Sequence, residues 1–494
     1  MTVLPATGRL AAVTLWLARL ARRHAVRVLA PGRPPRLALA AVGASIAATL
    51  LTAALGPSAA AQRFAGPVPL HANAQPNTAT VTALLVFAVV AGAYGLAGCL
   101  DALRRGWAAD AKRLLIAGAL VAAALGVLTP IGSADPGSYV AYGRLAATGQ
   151  DPYATPPSAL TGAYANAAEP PWRTTTSVYG PVATGEQWVA AKLAGDGPHS
   201  PGRAVFVLGL INAAAFIVAA ALLYLLAAGQ AGRRRAAVLF ALNPLLLLEG
   251  VAGAHVDVLL TALVVGGLAL LARRGIASAF GAGVLGGAAA AVKASAALAG
   301  GGFAFAIACH RHTRGRVTAL IALALGAAAV LIPGYLLAGG HAFDQLGHAS
   351  GFVSFADPWR IVTHPLESLL GKSAARTLIR IAAWIAFVVL ALLLRRGLPG
   401  RGHPGRPALV LVLGWLLTAP YVLPWYAALP FALLALLPSS AFDKVLIFWT
   451  SVLAIGYLPG RDPHAVDIWK SGVAPPLLLC TVIVTVVLCL RRRS

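Results

Sequence analysis

Asp135 opens a polar stretch, residues 132–203, that is wedged between two apolar segments. It contains SADPGSYVAYGRLAATGQDPY and, further on, PPWRTTTSVYGP. A carboxylate beside a bilayer can act as a general base, taking a proton from a hydroxyl within hydrogen-bond reach. A helix over 136–147, ending before Gly149, would place positions 135, 139 and 142 on one face, with Tyr139 and Tyr142 beside the acid. The plain structural alternative makes Asp135 an N-cap with proline at the first helical position. Three distant stretches carry further polar groups: Glu249, His255 and Asp257 in NPLLLLEGVAGAHVDVLL, Lys293 in AAAAVKASAAL, and Pro420, Tyr421, Pro424, Trp425 and Tyr426 in APYVLPWYAALP. Ionisable groups inside apolar segments are costly and are therefore functional suspects, although 253–257 also reads as a hairpin tip. Lys293, at the end of an apolar helix, suits a lipid phosphate or snorkels to the headgroups. Arg144 and Arg203 compete for the phosphate. Trp425 and Tyr426 read as an interfacial aromatic belt or as a sugar-stacking platform or lipid-groove wall.

The elements that must position these residues are membrane helices. Of 494 residues, 59% are hydrophobic and 11% charged, with a mean hydropathy of +0.78. Soluble domains carry about twice that charge. Apolar runs recur at a length that crosses a hydrocarbon core of about 30 Å, without the alternation of a β-barrel. The fold class is an all-α polytopic membrane protein with about 12–14 transmembrane helices. Spans are expected near 37–56, 79–99, 114–131, 204–228, 236–252, 255–272, 276–293, 294–309, 317–338, 377–394, 407–420, 425–438, 443–459 and 474–490. Those around 236–252, 294–309 and 407–438 are short enough to be broken or re-entrant.

The net charge of +24 excludes a nucleic-acid footprint once its distribution is read. With the N-terminus inside, alternating spans put 27 of the 39 basic residues on the inner side and 12 of the 15 acids at or near the outer side. That is a topology signal. The organisation expected is a cytoplasmic basic segment, 1–36, a transmembrane domain, 37–490, with outer loops at 132–203 and 339–375, and a cytoplasmic basic tail, 491–494. Within the first segment, residues 9–30 read as a basic amphipathic helix on the inner membrane surface. The four cysteines sit in or at the ends of spans and behave as small hydrophobes. No nucleotide-binding motif occurs. No ligand spacing predicts a metal, and the outer acids do not forbid one. His341, His348 and His364 are spaced too irregularly for a metal site and read as loop histidines.

The ordered set D-x3-Y-x2-YGR-x4-G-x-DPY, W-x6-YGP, LNPLLLLE-x5-HVD, VKASAAL and PYVLPWY, from about Leu114 to Tyr426, resembles the polyprenol-phosphomannose-dependent α-1,6-mannosyltransferases of actinobacteria. These are GT-C class membrane glycosyltransferases related to those that build lipomannan backbones. The resemblance implies a GT-C-like domain with a catalytic first outer loop at the plasma membrane. It implies a polyprenyl-phosphate mannose donor and a lipid-linked mannan acceptor; no cofactor is predicted, and a divalent metal stays open because enzymes of this class differ in using one. It makes Asp135 the base; the chemistry of the residues themselves suggests Lys293 or Arg144 as the phosphate contact, and Tyr139, Tyr142, Asp151, Tyr153, Tyr179, His255, Asp257, Trp425 and Tyr426 as substrate contacts. The chain departs from the family pattern at Ala134, beside Asp135, and at Val256, between His255 and Asp257. A second acid, where needed, would be Asp151 or Asp257. The same fold with an arabinosyl or glucosyl donor, and a flippase for lipid-linked sugars, are the alternatives. A transporter would show internal repeats and midplane charges, whereas here the acids gather at one face.

Overall fold

The computed structural model describes residues 32–309, 315–344, 352–462 and 464–491. The expected amphipathic helix at 9–30 lies outside them. The described chain is helical, with a single isolated bridge between Leu70 and Leu128 and no strands. Each of the fourteen expected spans is a helix. They are α1 (Arg36–Leu55), α2 (Thr78–Arg104), α3 (Ala111–Val127), α6 (Ser200–Leu226), α7 (Gly229–Ala252), α8 (Asp257–Ala272), α9 (Ile276–Val292), α10 (Ala294–Cys309), α11 (Arg316–Ala338), α13 (Lys372–Gly397), α14 (Arg406–Thr418), α15 (Pro424–Ala435), α16 (Phe442–Tyr457) and α17 (Trp469–Arg491). The polar stretches supply α4 (Asp135–Ala147), α5 (Pro181–Ala194) and α12 (Arg360–Leu370).

The fourteen helices fall into two length classes. Seven of the described helices, α1, α2, α6, α7, α11, α13 and α17, are long and apolar enough to cross a membrane unaided. The other seven have 17 residues or fewer, and 17 residues at 1.5 Å each reach about 25 Å. Breaks separate two pairs of these short helices, and a third interrupts the long α7. Lys293 is extended (φ −155°, ψ 126°) and ends α9 before α10 begins. The segment 419–423, with Pro420, separates α14 from α15. Inside α7, Asn243 precedes Pro244 and its Oδ1 accepts from the Leu245 and Leu246 amides, with a π turn on either side. Such irregular backbone is tolerated where protein covers it, and α7 is almost wholly buried.

Small residues let these short helices pack closely. A Cβ on Gly283 of α9 would come within 2.1 Å of the Leu323 carbonyl of α11. One on Gly326 would come within 2.0 Å of the Phe280 carbonyl in return. The two ends of the bundle differ in charge. At one end, Asp443 is fully buried and accepts from Arg235 at 2.8 and 2.6 Å and from Arg104 at 3.1 Å. The other end gathers the residues singled out above.

Candidate active site

Helix α4 begins at Asp135, with Ala134 as its capping residue and no side-chain cap. The Asp135 carboxylate is therefore not spent on the helix end. Ser133 Oγ instead accepts from the Asp135 amide, at 3.0 Å. One turn on, the Tyr139 hydroxyl donates to Asp135 Oδ2 at 3.3 Å. His255 Nδ1 lies 3.4 Å from both Asp135 Oδ2 and the Tyr139 hydroxyl. Burial, then the neighbouring Asp135 charge, pushes the Tyr139 hydroxyl well above its usual range, and the Tyr179 hydroxyl likewise. Both stay protonated and keep a donor beside the carboxylate.

His255 is delivered by a strained turn. Ala254 has φ +50°, a conformation that residues with a Cβ seldom adopt. A Cβ on Gly253 would come within 2.5 Å of the His255 ring. The Asn212 amide donates to the His255 carbonyl at 2.6 Å. The imidazole stacks on Trp425, with centroids 3.6 Å apart and planes 10° from parallel. Two residues on, Asp257 starts α8 and accepts from Lys293 Nζ at 2.9 and 3.1 Å. Lys293 Nζ also lies over the Tyr426 ring, 3.2 Å from its centroid. The YGP motif explains how the α9 end is reached. Gly180 donates its amide to the Val292 carbonyl, and a Cβ there would come within 2.2 Å of the Ala291 carbonyl. Tyr179, alongside, meets Tyr139 edge-on at 5.1 Å.

These groups border a cavity of about 430 Å³. Asp135, Tyr179, Lys293, Trp425 and Tyr426 line it directly, while Tyr139, His255 and Asp257 sit one layer behind. The structure brings these separated stretches to one cavity, and it places the other expected contact residues outside its lining. Arg144 forms an ion pair with Asp196 and lies over the Tyr164 ring, away from the cavity. Asp151 caps its own turn, accepting from the Tyr153 amide at 2.8 Å, and the Tyr153 hydroxyl bonds Thr184 at 2.7 Å. The Tyr142 hydroxyl donates to the Thr175 carbonyl at 2.9 Å. These four residues make contacts within the outer loop and do not line the first cavity. Glu249 is buried in the π turn of α7, and Arg203 does not line the cavity.

Trp172, from the W-x6-YGP motif, lines the cavity, and so do residues not singled out in the sequence, among them Arg380, Trp384, Trp415 and Tyr457. Arg380 carried a signal, since an arginine inside an apolar span is a functional suspect. Tyr457, which meets Trp425 edge-on, looks in sequence like any interfacial aromatic. Among the described residues no group of three or more His, Cys, Asp or Glu side chains is placed to hold a metal.

Fold and cavity together define a polytopic all-α membrane protein with an acid, two cations and several aromatic faces at one end of its bundle. The family model described as alpha-(1->6)-mannopyranosyltransferase, N-terminal domain, matches residues 39–310. The match covers more than half of the chain, and the protein belongs to that mannosyltransferase family. Asp135, His255, Asp257 and Lys293 fall within the match, while Arg380, Trp425, Tyr426 and Tyr457 lie beyond it. No curated protein and no solved structure matches the chain.

Proposed function

We propose that the protein transfers mannose from a polyprenyl-phosphate mannose to a hydroxyl of a lipid-linked mannan acceptor, forming an α-1,6 linkage on the outer face of the plasma membrane. The observation that carries this reading is the Asp135 carboxylate. It sits on the cavity wall with one oxygen held by Tyr139 and His255, in reach of a bound hydroxyl.

In the proposed step the acceptor oxygen attacks the anomeric carbon while Asp135 takes its proton. The bond from that carbon to the phosphate oxygen breaks, and its electron pair leaves with the polyprenyl phosphate. One such displacement inverts the anomeric centre. The phosphate is already a good leaving group, so it needs a cation rather than an acid. Lys293 and Arg380 line the same cavity. Asp257 takes up much of the Lys293 charge, which leaves a role for Arg380 at the phosphate. Trp425 and Tyr426 offer ring faces to the sugar, and Trp384 and Trp415 an apolar wall to the lipid. His255 is a positioning residue that aligns the carboxylate through Nδ1. The concentration of basic residues at the opposite end of the bundle supports an outward-facing site.

The test is donor choice. Purified protein in nanodiscs is given an α-1,6-oligomannoside with either polyprenyl-phosphate mannose or GDP-mannose, both radiolabelled. Transfer from the lipid donor alone is expected. Transfer from GDP-mannose, or from a polyprenyl-phosphate arabinose in preference to mannose, would overturn the assignment of the donor.

A further inference from the structure

A second cavity, of about 640 Å³, opens at the same end of the bundle, within the roughly 300–1,000 Å³ typical of ligand sites. Its walls come from the loop between α1 and α2, which supplies Gln62, Arg63, Phe64 and Asn73, from Asn166 in the outer loop, and from the start of α6. It shares a partition with the first cavity. Ala167 faces the second, and Pro170 to Trp172 face the first.

The partition is fixed from both sides. The Gln62 amide donates to the Ala167 carbonyl at 2.8 Å. Arg461 donates to Glu169 and to the Ser58 and Ala61 carbonyls. Gln62 is 8% exposed, and its Oε1 has no hydrogen-bond partner among the described residues. That oxygen lies where a Cβ on Gly137 would meet it, at 2.3 Å, two residues along α4 from Asp135. The floor of the second cavity therefore touches the helix that carries the carboxylate.

The lining chemistry narrows the ligand. The Asn73 and Asn166 amides and the Arg63 guanidinium offer flat donors and acceptors, suited to the hydroxyl rim of a pyranose, and Phe64, the prolines and the His71 ring offer surface to its C–H face, while the Gln62 amide nitrogen is spent on the partition. Among the described residues no carboxylate lines the cavity, and the Arg63 guanidinium on its wall disfavours a cation. The polar groups interrupt any continuous apolar wall, so it does not suit a lipid tail. We propose that this cavity binds an inner part of the acceptor mannan chain while the reacting end reaches past the 167–172 partition into the first cavity. The proposal rests on the mannosyl-transfer reading above.

The test compares α-1,6-linked di- and hexamannoside acceptors in the full-length protein. The double variant Arg63→Ala/Asn73→Gly removes two exposed side chains, and glycine tolerates the φ of +55° at position 73 without strain. The ratio of kcat/KM for hexa- over dimannoside is expected to fall about tenfold, the equivalent of two modest hydrogen bonds. Arg113→Ala, at the opposite end, serves as control and keeps the ratio. Binding of the hexamannoside without donor, followed by saturation-transfer difference NMR, is expected to weaken in the same double variant. An unchanged ratio together with unchanged binding overturns the second cavity as a glycan site. If wild-type protein transfers mannose to neither acceptor, the transfer reading fails, and the NMR result alone decides the cavity: loss of binding in the variant upholds it, and unchanged or absent binding overturns it.

Discussion

Replacing Asp257 by Asn and Lys293 by Met, singly and together, separates what the pair does for the fold from what Lys293 does for the chemistry. The two Oδ atoms stand 2.9 and 3.1 Å from Nζ, and the side chains are 6% and 16% exposed. Removing one partner of a buried pair costs about 3–5 kcal/mol, because the remaining charge is left uncompensated. Two features place this pair at the lower end. Lys293 keeps a cation–π contact with Tyr426, worth about 0.5–2 kcal/mol. Asp257 stands in the first turn of α8, where the helix dipole favours an anion by about 0.3–1 kcal/mol. Each single variant should therefore lose about 3 kcal/mol, and the double variant should return to within about 1 kcal/mol of wild type. Apparent Tm from tryptophan fluorescence in detergent gives the order: both single variants well below wild type, the double variant close to it. Transfer should stay lost in the double variant, because its stability returns without a cation at position 293. Single variants as stable as wild type would refute the burial argument, and an active double variant would refute the phosphate role of Lys293.

Other outcomes follow from the same geometry. His255→Ala should lower kcat about tenfold or more with little change in KM, because the carboxylate loses the Nδ1 neighbour that aligns it, and steady-state kinetics on the folded variant checks this. Gly326→Ala should cost about 1–3 kcal/mol by overpacking against the Phe280 carbonyl, whereas Gly300→Ala, with open space around it, should be neutral; thermal unfolding of the two in parallel checks this. Burial holds the Asp357 carboxyl well above the usual carboxylate range, with Oδ2 lacking a hydrogen-bond partner among the described residues. The folded state thus binds a proton that the unfolded chain releases, so this group's contribution to stability falls as pH rises from the unfolded pKa, near 4, toward the raised folded value. Asp357→Asn, neutral throughout, should therefore stabilise the protein more at pH 8 than at pH 5, and a difference in Tm that did not grow with pH would contradict the assignment.

The helices were legible because continuous apolar runs of membrane length have few other uses. All fourteen segments fold as helices, and α4 starts within a residue of expectation. The short or broken segments at 236–252, 294–309 and 407–438 were legible too, but the residues that break them were not. Hydropathy marks apolar segments, while the breaks at Lys293 and Asn243 depend on how neighbouring helices cover the exposed backbone. At the site, Asp135, His255, Asp257 and Lys293 stood out because charge inside apolar sequence is expensive. The same rule pointed to Arg380, which a reading that treats basic residues chiefly as topology signals passes over. Arg144, Asp151 and Tyr153, also singled out, do not line the cavity. In a polar loop, charge and hydroxyls are cheap and usually serve local turns and ion pairs, as the Arg144–Asp196 pair and the Asp151 turn show. His255 and Tyr139 act one layer behind the cavity, a depth that residue spacing does not encode.

The most direct test of the central claim is the rate of mannose transfer from polyprenyl-phosphate mannose to an α-1,6-oligomannoside by Asp135→Asn, with Tm measured on the same preparation. The isosteric amide cannot take the proton, so the rate should fall by about 10²–10⁴ while Tm stays near wild type. Full activity in a folded Asp135→Asn protein would contradict the account.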